Sequence, residues 1–202
     1  MSFYEDRILP RCVDWLLSRK PFLEARERVA RGLAGEVVEI GFGSGLNLPY
    51  LPRDVSRLYA IEPSGGAREL AAERIAGSST PVELRGLDGQ SLPFPDASVD
   101  AVLSTFTLCT IPDYERALAE VRRVLKPGGR FHFLEHGRSP EASVAKWQDW
   151  LTPIQRRIAG GCQLNRPIDR AIEAAGLRIG AIERYYLAGP KFAAHLFEGR
   201  AF

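Results

Sequence analysis

Residues 37–47 read VVEIGFGSGLN, in which β-branched residues surround an acid and glycine then recurs at every second position. Glycine is required where a chain turns with positive φ or where a ligand lies against bare backbone. A strand that leads into such a loop and then into a helix directs unpaired N–H groups and the positive end of the helix dipole at one point. The stretch therefore predicts a nucleotide-type binding loop at the end of the first strand of a Rossmann-like sheet.

The spacing of the glycines indicates which nucleotide the loop binds. The dinucleotide pattern has its third glycine three positions after the second, whereas Gly45 follows Gly43 by two and Leu46 occupies the expected place. Glu39, just before the loop, would repel a pyrophosphate but suits an ammonium group. S-adenosylmethionine carries an ammonium, a sulfonium and a carboxylate, and no phosphate. The loop therefore favours S-adenosylmethionine over a dinucleotide.

Composition limits the class of protein. The 202 residues, 45% of them hydrophobic, suffice for one buried core. A net charge of +2 with short basic clusters gives no electrostatic footprint for nucleic acid. We expect no membrane span and no signal peptide, because no apolar run has the necessary length. Cys12, Cys109 and Cys162 form no CxxC motif, which favours a reducing, cytoplasmic compartment and predicts neither a disulfide framework nor a metal site.

We expect a single domain in three parts. Residues 1–32 predict an N-terminal helical cap, residues 36–136 a cofactor-binding core, and residues 137–202 an acceptor-pocket insert with a closing hairpin. Pro10 suits the first turn of the first helix, and Gly32 ends the second. The helical pair either covers an edge of the sheet or closes over the ligand as a lid, with Tyr4 above the site.

The second and third strands each lead to candidate ligand residues. Glu62 follows a strand over residues 57–61 and lies 21 positions after Gly41, the distance at which Rossmann-type sites place a carboxylate on the ribose hydroxyls. A helix over residues 67–76 and a third strand over residues 82–85 come next. Asp88 could then accept the adenine amino hydrogen while the N–H of Gly89 donates to the ring, although Asp-Gly is also a routine turn.

The rest of the chain continues this alternation. The predicted elements are strands over residues 99–103 and 130–134 around a helix over 114–125, helices over 143–159 and 167–175, and strands over 177–186 and 192–200. The fold class is therefore α/β, with a Rossmann-like, mostly parallel sheet of seven strands, helices on both faces and an antiparallel last strand.

These segments resemble class I S-adenosylmethionine-dependent methyltransferases. EIGFGSG is similar to their motif I, and LPFPDASVDAV and RVLKPGG are characteristic of the small-molecule "type 11" enzymes. More narrowly, LCTI, EHG and GGCQLN look like blocks of the methyltransferase-like alkyl thiol methyltransferases. Animal members of that group carry an N-terminal hydrophobic membrane segment, which we do not expect here.

The resemblance implies methyl transfer from S-adenosylmethionine to a small-molecule acceptor. We expect the donor to be held by Glu39, Gly41, Gly43, Gly45, Asn47, Glu62, Asp88, Gly89 and Thr105. We expect the acceptor pocket to include Tyr4, Phe106, Cys109, His136 and Trp147, although the spacing of Trp147 and Trp150 predicts core positions more often than a pocket.

Histidine is the candidate for proton transfer. His136 follows the fifth strand, and imidazole titrates near neutral pH, so His136 is the candidate general base; the alternative is that it braces the adjacent loop. His132 and His195 lie inside apolar strand runs and predict core positions.

Several functions stay open. A thiol acceptor is favoured, with O- or C-methylation of a quinone-like or phenolic molecule, or N-methylation of an amine, as the alternatives. An NAD-linked oxidoreductase would share Glu62 but not the glycine spacing, and a nucleic-acid methyltransferase would have an Asn/Asp-Pro-Pro-Tyr/Phe-like tetrapeptide where this chain has STFT. A non-catalytic cofactor-binding protein is the last alternative. The sequence indicates no oligomeric state.

Overall fold

The computed structural model describes residues 3–202, whose seven strands form one sheet. The strands are β1 (Gly35–Ile40), β2 (Val55–Ile61), β3 (Val82–Gly86), β4 (Val99–Thr105), β5 (Leu125–His136), β6 (Ile179–Tyr186) and β7 (His195–Ala201). Their order is β3-β2-β1-β4-β5-β7-β6. The pairs among β1 to β5 are parallel, and β7 is antiparallel to both neighbours. The predicted sheet, with its antiparallel last strand, is confirmed.

Helices cover both faces of this sheet. They are α1 (Leu9–Leu17), α2 (Lys20–Ala30), α3 (Gly65–Ala76), α4 (Tyr114–Val124), α5 (Ala142–Ile158), α6 (Ile168–Ala174) and α7 (Lys191–Ala194), with a π-helical turn at Tyr4–Ile8 before α1. Side chains cap two of them: Ser64 accepts a hydrogen bond from the amide of Ala67, and Asp113 accepts one from Arg116. Such caps satisfy amides that a helix start leaves unpaired.

The central strands are buried on both sides, as parallel sheets require. Val38 of β1 packs into the core beneath α4 and α6, whereas its neighbour Val37 packs into the core beneath α2. This alternation follows from the two-residue period of a strand. It leaves the strand ends as the place where polar side chains emerge.

The helix expected directly after the glycine loop is absent, so this prediction was wrong. The loop leads only into a single 3-10 turn, Leu48–Tyr50, which contains Pro49. Leu51 is already extended. A residue that precedes a proline, here Pro52, is biased away from the helical conformation, which explains why the turn ends there. The loop therefore presents its amides without the dipole of an α-helix behind them.

Two boundaries also differ from expectation. β5 begins at Leu125, five residues early, because Leu125 pairs with Val99 before the ladder shifts and resumes at Arg130. The closing hairpin contains the short helix α7 before β7 begins at His195. Within residues 3–202, no helix combines the length and the hydrophobicity needed to cross a bilayer.

Candidate active site

A cavity of about 600 Å³ opens at the carboxyl ends of β1, β2 and β4. β1 lies between β2 and β4, so the strand order reverses at β1. Ligands of open α/β sheets bind in the crevice outside the carboxyl ends of the strands at such a reversal. The polar part of the lining includes Gly41, Gly43, Ser44, Glu62, Asp88 and Thr105. The apolar part includes Leu9, Pro10, Val13, Leu17, Phe106 and Ile111.

The glycine loop has the conformation that its sequence predicts. Gly41, Gly43 and Gly45 all have positive φ, at 68°, 59° and 79°. A Cβ atom on Gly41 would lie 2.1 Å from Oγ1 of Thr107. Any side chain at position 41 would therefore suffer both backbone strain and a steric clash.

Glu62 lies at the cavity wall, where the sequence places it. One carboxylate oxygen accepts the amide of Gly43 at 2.7 Å, and the other accepts the amide of Ser64 at 2.8 Å. Burial raises the pKa of Glu62, while these two amide bonds act in the opposite direction. The carboxylate therefore joins the end of β2 to the glycine loop and faces the cavity.

Behind the loop lies a group of four side chains that we call the polar floor: Arg26, Glu39, Asn47 and Thr105. Nη1 of Arg26 donates to Oδ1 of Asn47 at 2.9 Å and to Oγ1 of Thr105 at 2.7 Å. Nδ2 of Asn47 donates to Glu39 at 2.6 Å and to Thr105 at 3.0 Å. All four side chains are buried. Of these, Arg26 and Thr105 reach the cavity, whereas Glu39 and Asn47 lie behind its lining.

Burial controls the charges of this floor. It raises the pKa of Glu39 to about 8, although the bond from Asn47 and the charge of Arg26 act against it. It also lowers the pKa of Arg26 to about 10. Oε2 of Glu39 and Nε of Arg26 have no hydrogen-bond partner among the described residues. The floor thus holds a carboxyl group that is poorly solvated when ionised.

Asp88 and Gly89 also line the cavity. Oδ1 of Asp88 accepts both the backbone amide and the side-chain amide of Gln90, at 2.8 and 2.9 Å. These bonds lower the pKa of Asp88. Asp88 therefore both stabilises a local turn and lines the cavity.

The N-terminal helices shape one wall of the cavity. Asp14 of α1 accepts a hydrogen bond from Ser44 of the glycine loop at 2.5 Å and pairs with Arg74 of α3 at 2.8 Å. α2 packs on the face of the sheet, where Phe22 stacks edge-on against Phe106 at 5.6 Å between ring centroids. The two helices therefore differ in position: α2 covers the sheet, whereas α1 lines the ligand cavity, where a lid would lie.

The acceptor residues predicted from the sequence do not all meet at the cavity. Phe106 lines it, and its φ of 55° is unusual for a residue with a side chain. Tyr4 lies outside the lining and donates to the carbonyl of Ile158 at 2.6 Å. Trp147 also lies outside and is exposed, with its ring 5.5 Å from that of Trp150.

The expectation that Trp147 and Trp150 belong to the core was wrong. The buried side chains of α5 are Val144, Ala145, Gln148 and Thr152. Both tryptophans therefore lie on the opposite side of the helix. By contrast, His132 and His195 are buried as predicted, and burial lowers the pKa of each.

Cys109 and His136 lie together behind the cavity wall, next to Cys162. Nε2 of His136 is 3.2 Å from Sγ of Cys162. The hydrogen bond with Cys109 and the contact with His136 lower the pKa of the Cys162 thiol, and the same bond raises the pKa of Cys109. Neither Cys109 nor His136 is part of the cavity lining.

Sequence reasoning missed Arg26. Its signal was a charged residue among the buried positions of α2, next to Ala25 and one turn before Val29 and Ala30. A buried cation on an apolar helix face needs polar partners, and the polar floor supplies them.

The chain is similar to methyltransferases in sequence and in structure. Residues 38–133 match the family described as "Methyltransferase domain". The human thiol S-methyltransferase TMT1A is 32% identical over 173 residues, which cover 79% of this chain and 68% of that protein. A demethylmenaquinone methyltransferase of Clavibacter sepedonicus is 33% identical over 126 residues, covering 62% and 51%. The crystal structure of a SAM dependent methyltransferase from Aquifex aeolicus has a TM-score of 0.66 at 21% identity, covering 95% of this chain and 97% of that one.

A cavity at the strand crossover, a glycine loop over it and a carboxylate at the end of β2 define a Rossmann-like nucleotide-binding protein. The methyltransferase family matches residues 38–133 of this chain, and the human thiol S-methyltransferase is related to the chain over two thirds of the human protein's length. The chain belongs to the class I S-adenosylmethionine-dependent methyltransferases.

Proposed function

We propose that this methyltransferase transfers the methyl group of S-adenosylmethionine to a small thiol. The observation that carries the donor assignment is the pairing of the Glu62 carboxylate with the open glycine loop at one cavity. The thiol acceptor is supported by the relative from Homo sapiens, which is named a thiol S-methyltransferase. We also propose that the chain forms a single domain and that the protein works in a reducing, cytoplasmic compartment.

The residues present fit such a donor. A Cβ on Gly43 would meet only the carbonyl oxygen of Gly41, at 3.9 Å, so the backbone of the loop is open to a ligand there. The Glu62 carboxylate can accept hydrogen bonds from two adjacent ribose hydroxyls. We propose that Asp88 and Gly89 hold the adenine. Glu39, Gly45 and Asn47 then act on the donor by fixing the loop, because Glu39 and Asn47 lie behind the lining and Gly45 packs against Phe42 and Leu48. Thr105 lines the cavity and can contact the donor itself.

The bound donor supplies an electrophilic methyl group on a sulfonium. The protein therefore has mainly to align the acceptor with this methyl group and to exclude water. Alignment of two reactants can remove roughly 7–11 kcal/mol of a barrier. The apolar side chains of α1 and the ring of Phe106 line part of the cavity and would limit the access of water to a bound acceptor. We propose this apolar part as the acceptor pocket.

One experiment tests the donor and a second tests the acceptor. Calorimetry should show binding of S-adenosylmethionine and its demethylated product, and no binding of NAD or NADP. A panel of alkyl thiols, phenols and amines should then give S-adenosylhomocysteine with thiols above the others. Binding without turnover of any acceptor would leave only a cofactor-binding protein.

Methylation of a quinone-like or phenolic carbon or oxygen is the second candidate. It is favoured by the 33% identity to a demethylmenaquinone methyltransferase over 126 residues. Greater turnover of phenols than of thiols in the same panel would select it.

A further inference from the structure

Three metal-binding side chains meet in the interior although they are distant in the sequence. Cys109 lies in the turn after β4, His136 is the last residue of β5, and Cys162 lies in the turn after α5. Their ligand atoms all lie within 4.8 Å of one another. The carboxyl ends of β4 and β5 are neighbours in the sheet, which is why Cys109 and His136 meet.

The backbone holds this geometry in place. The amide of Gln163 donates to the carbonyl of Cys109 at 2.9 Å, which ties the turn after α5 to the turn after β4. The amide of Cys162 donates to the carbonyl of Ala159 at 3.1 Å and closes its own turn. The two thiols are therefore positioned by hydrogen bonds in which neither sulfur takes part.

Two thiols and an imidazole form a set of ligands typical of Zn²⁺ and other borderline or soft metals. In a tetrahedral zinc site the metal–sulfur and metal–nitrogen bonds of about 2.3 and about 2.0 Å place ligand atoms roughly 3.5–3.8 Å apart. The contact of 3.2 Å between His136 and Cys162 and the overall limit of 4.8 Å are close to that arrangement. The nitrogen of His136 that faces Cys162 is Nε2, so this atom is the candidate metal ligand, while Nδ1 is buried without a hydrogen-bond partner among the described residues.

The surroundings suit a site with an open position. Among the described residues, the cluster contains three potential ligands and no fourth His, Cys or carboxylate. Structural zinc sites are usually closed by four protein ligands, whereas catalytic sites have three. Thr110, next to Cys109, and Gly160, two residues before Cys162, both line the ligand cavity, so the cluster lies directly behind its wall.

We propose that Cys109, His136 and Cys162 form a three-ligand site for Zn²⁺ beside the ligand cavity. This goes beyond the proposed methyl transfer and does not depend on it. It replaces the expectation of no metal, which rested on the distance between the cysteines in the sequence. It also gives His136 the role of a ligand in place of a general base, since Nε2 cannot hold the metal and accept a proton together.

Metal binding can be measured with the full chain, without methyl donor or acceptor. The purified, reduced protein is freed of metal with a chelator and titrated with Co²⁺ under anaerobic conditions. We expect one equivalent to produce a thiolate-to-cobalt absorption band, and Zn²⁺ to displace it. The matched control is Cys12→Ser, because Cys12 is exposed and outside the cluster.

The variants Cys109→Ser, Cys162→Ser and His136→Asn should each weaken Co²⁺ binding at least tenfold, while Cys12→Ser binds as the parent does. Circular dichroism and urea denaturation show whether each variant is folded. Absence of the band in the parent protein overturns the proposal, whatever the variants do. A band that persists in both cysteine variants also overturns it. If the parent protein takes up no metal but loses the two thiols of Cys109 and Cys162 on mild oxidation, the cluster is a disulfide pair and the metal site is excluded.

Discussion

Glu62 accepts a hydrogen bond from the backbone amide of Gly43 at 2.7 Å, which joins the end of β2 to the middle of the glycine loop. The same carboxylate is the candidate ligand for the donor ribose. Its position is fixed by a second amide, that of Ser64, at the start of α3. Ligand binding and loop geometry are therefore expected to depend on the same side chain.

Replacement of Glu62 by alanine should weaken binding of S-adenosylhomocysteine at least tenfold. Each hydrogen bond to a charged group is worth about 1.5–3 kcal/mol, and about 1.4 kcal/mol corresponds to a factor of ten. Calorimetry measures the change. Glu83→Ala, at a half-exposed position on β3 outside the cavity lining, is the control and should bind as the parent does. An unchanged affinity in Glu62→Ala would mean that the carboxylate does not contact the ligand.

Replacement of Arg26 by methionine should lower the free energy of unfolding by about 3 kcal/mol, because a buried polar network is broken and its other members remain. Asn47 and Thr105 each lose a hydrogen bond. Denaturation by urea measures the loss, and the affinity for S-adenosylhomocysteine should fall as well. Arg31→Met, on an exposed residue just beyond α2, should change stability by less than about 0.5 kcal/mol. Equal effects of the two substitutions would exclude a special role for the polar floor.

Glu39 should make the ligand-free protein less stable as the pH rises. Its pKa in the folded protein is about 8, above the ordinary value of 4.5, so its contribution to stability is complete below the lower value and is lost as the pH rises through the higher one. Glu39→Gln removes this titration. The difference in unfolding free energy between variant and parent should then grow with pH by up to about 1.4 kcal/mol per unit.

Urea denaturation of both proteins between about pH 5 and about pH 9 tests this slope. Glu83→Gln, which removes a half-exposed carboxylate of β3, is the matched control for the substitution itself. A constant difference between Glu39→Gln and the parent would show that Glu39 is ionised throughout.

Replacement of Asp14 by alanine should loosen α1 from the cavity. Asp14 is bonded both to Ser44 of the glycine loop and to Arg74 of α3. We expect the affinity for S-adenosylhomocysteine to fall about threefold to tenfold, since about 1 kcal/mol is typical of one lost hydrogen bond. Trypsin should also cleave faster after Arg11 and Arg19. Asp96→Ala, at a highly exposed residue, serves as control, and equal cleavage rates would rule out a cover held by Asp14.

Local patterns predicted most of the fold and part of the site. The glycine loop and the position of Glu62 follow from spacing within one strand–loop–strand segment, and the structure places both at the cavity. The prediction of a helix after the loop was wrong because Pro49 and Pro52 limit this segment to a single 3-10 turn. The outward-facing Trp147 could not be predicted from its spacing alone, since polar Gln148 and Thr152 occupy the buried side of α5.

The remaining parts of the site depend on contacts that no local pattern encodes. Arg26 reaches Thr105 from a helix that precedes the sheet, and His136 meets Cys162 across the turn after α5. Each contact depends on how far two elements approach, which is decided by packing of the whole core. Spacing in the sequence therefore found the ligand loop and overlooked both the floor beneath it and the cluster behind it.

The polar floor has a consequence for the order in which the chain folds. Its bonds join Arg26 to residues 21 and 79 positions further along. Contacts of such sequence separation form only after the intervening loops have closed, so the floor is completed when β4 joins the sheet. A chain folded only through β3 lacks Thr105 and the hydrogen bonds that Arg26 and Asn47 donate to it, so the glycine loop has only part of its support. Donor binding would therefore stabilise the completed sheet in preference to any earlier intermediate, and the ligand would favour the last step of folding.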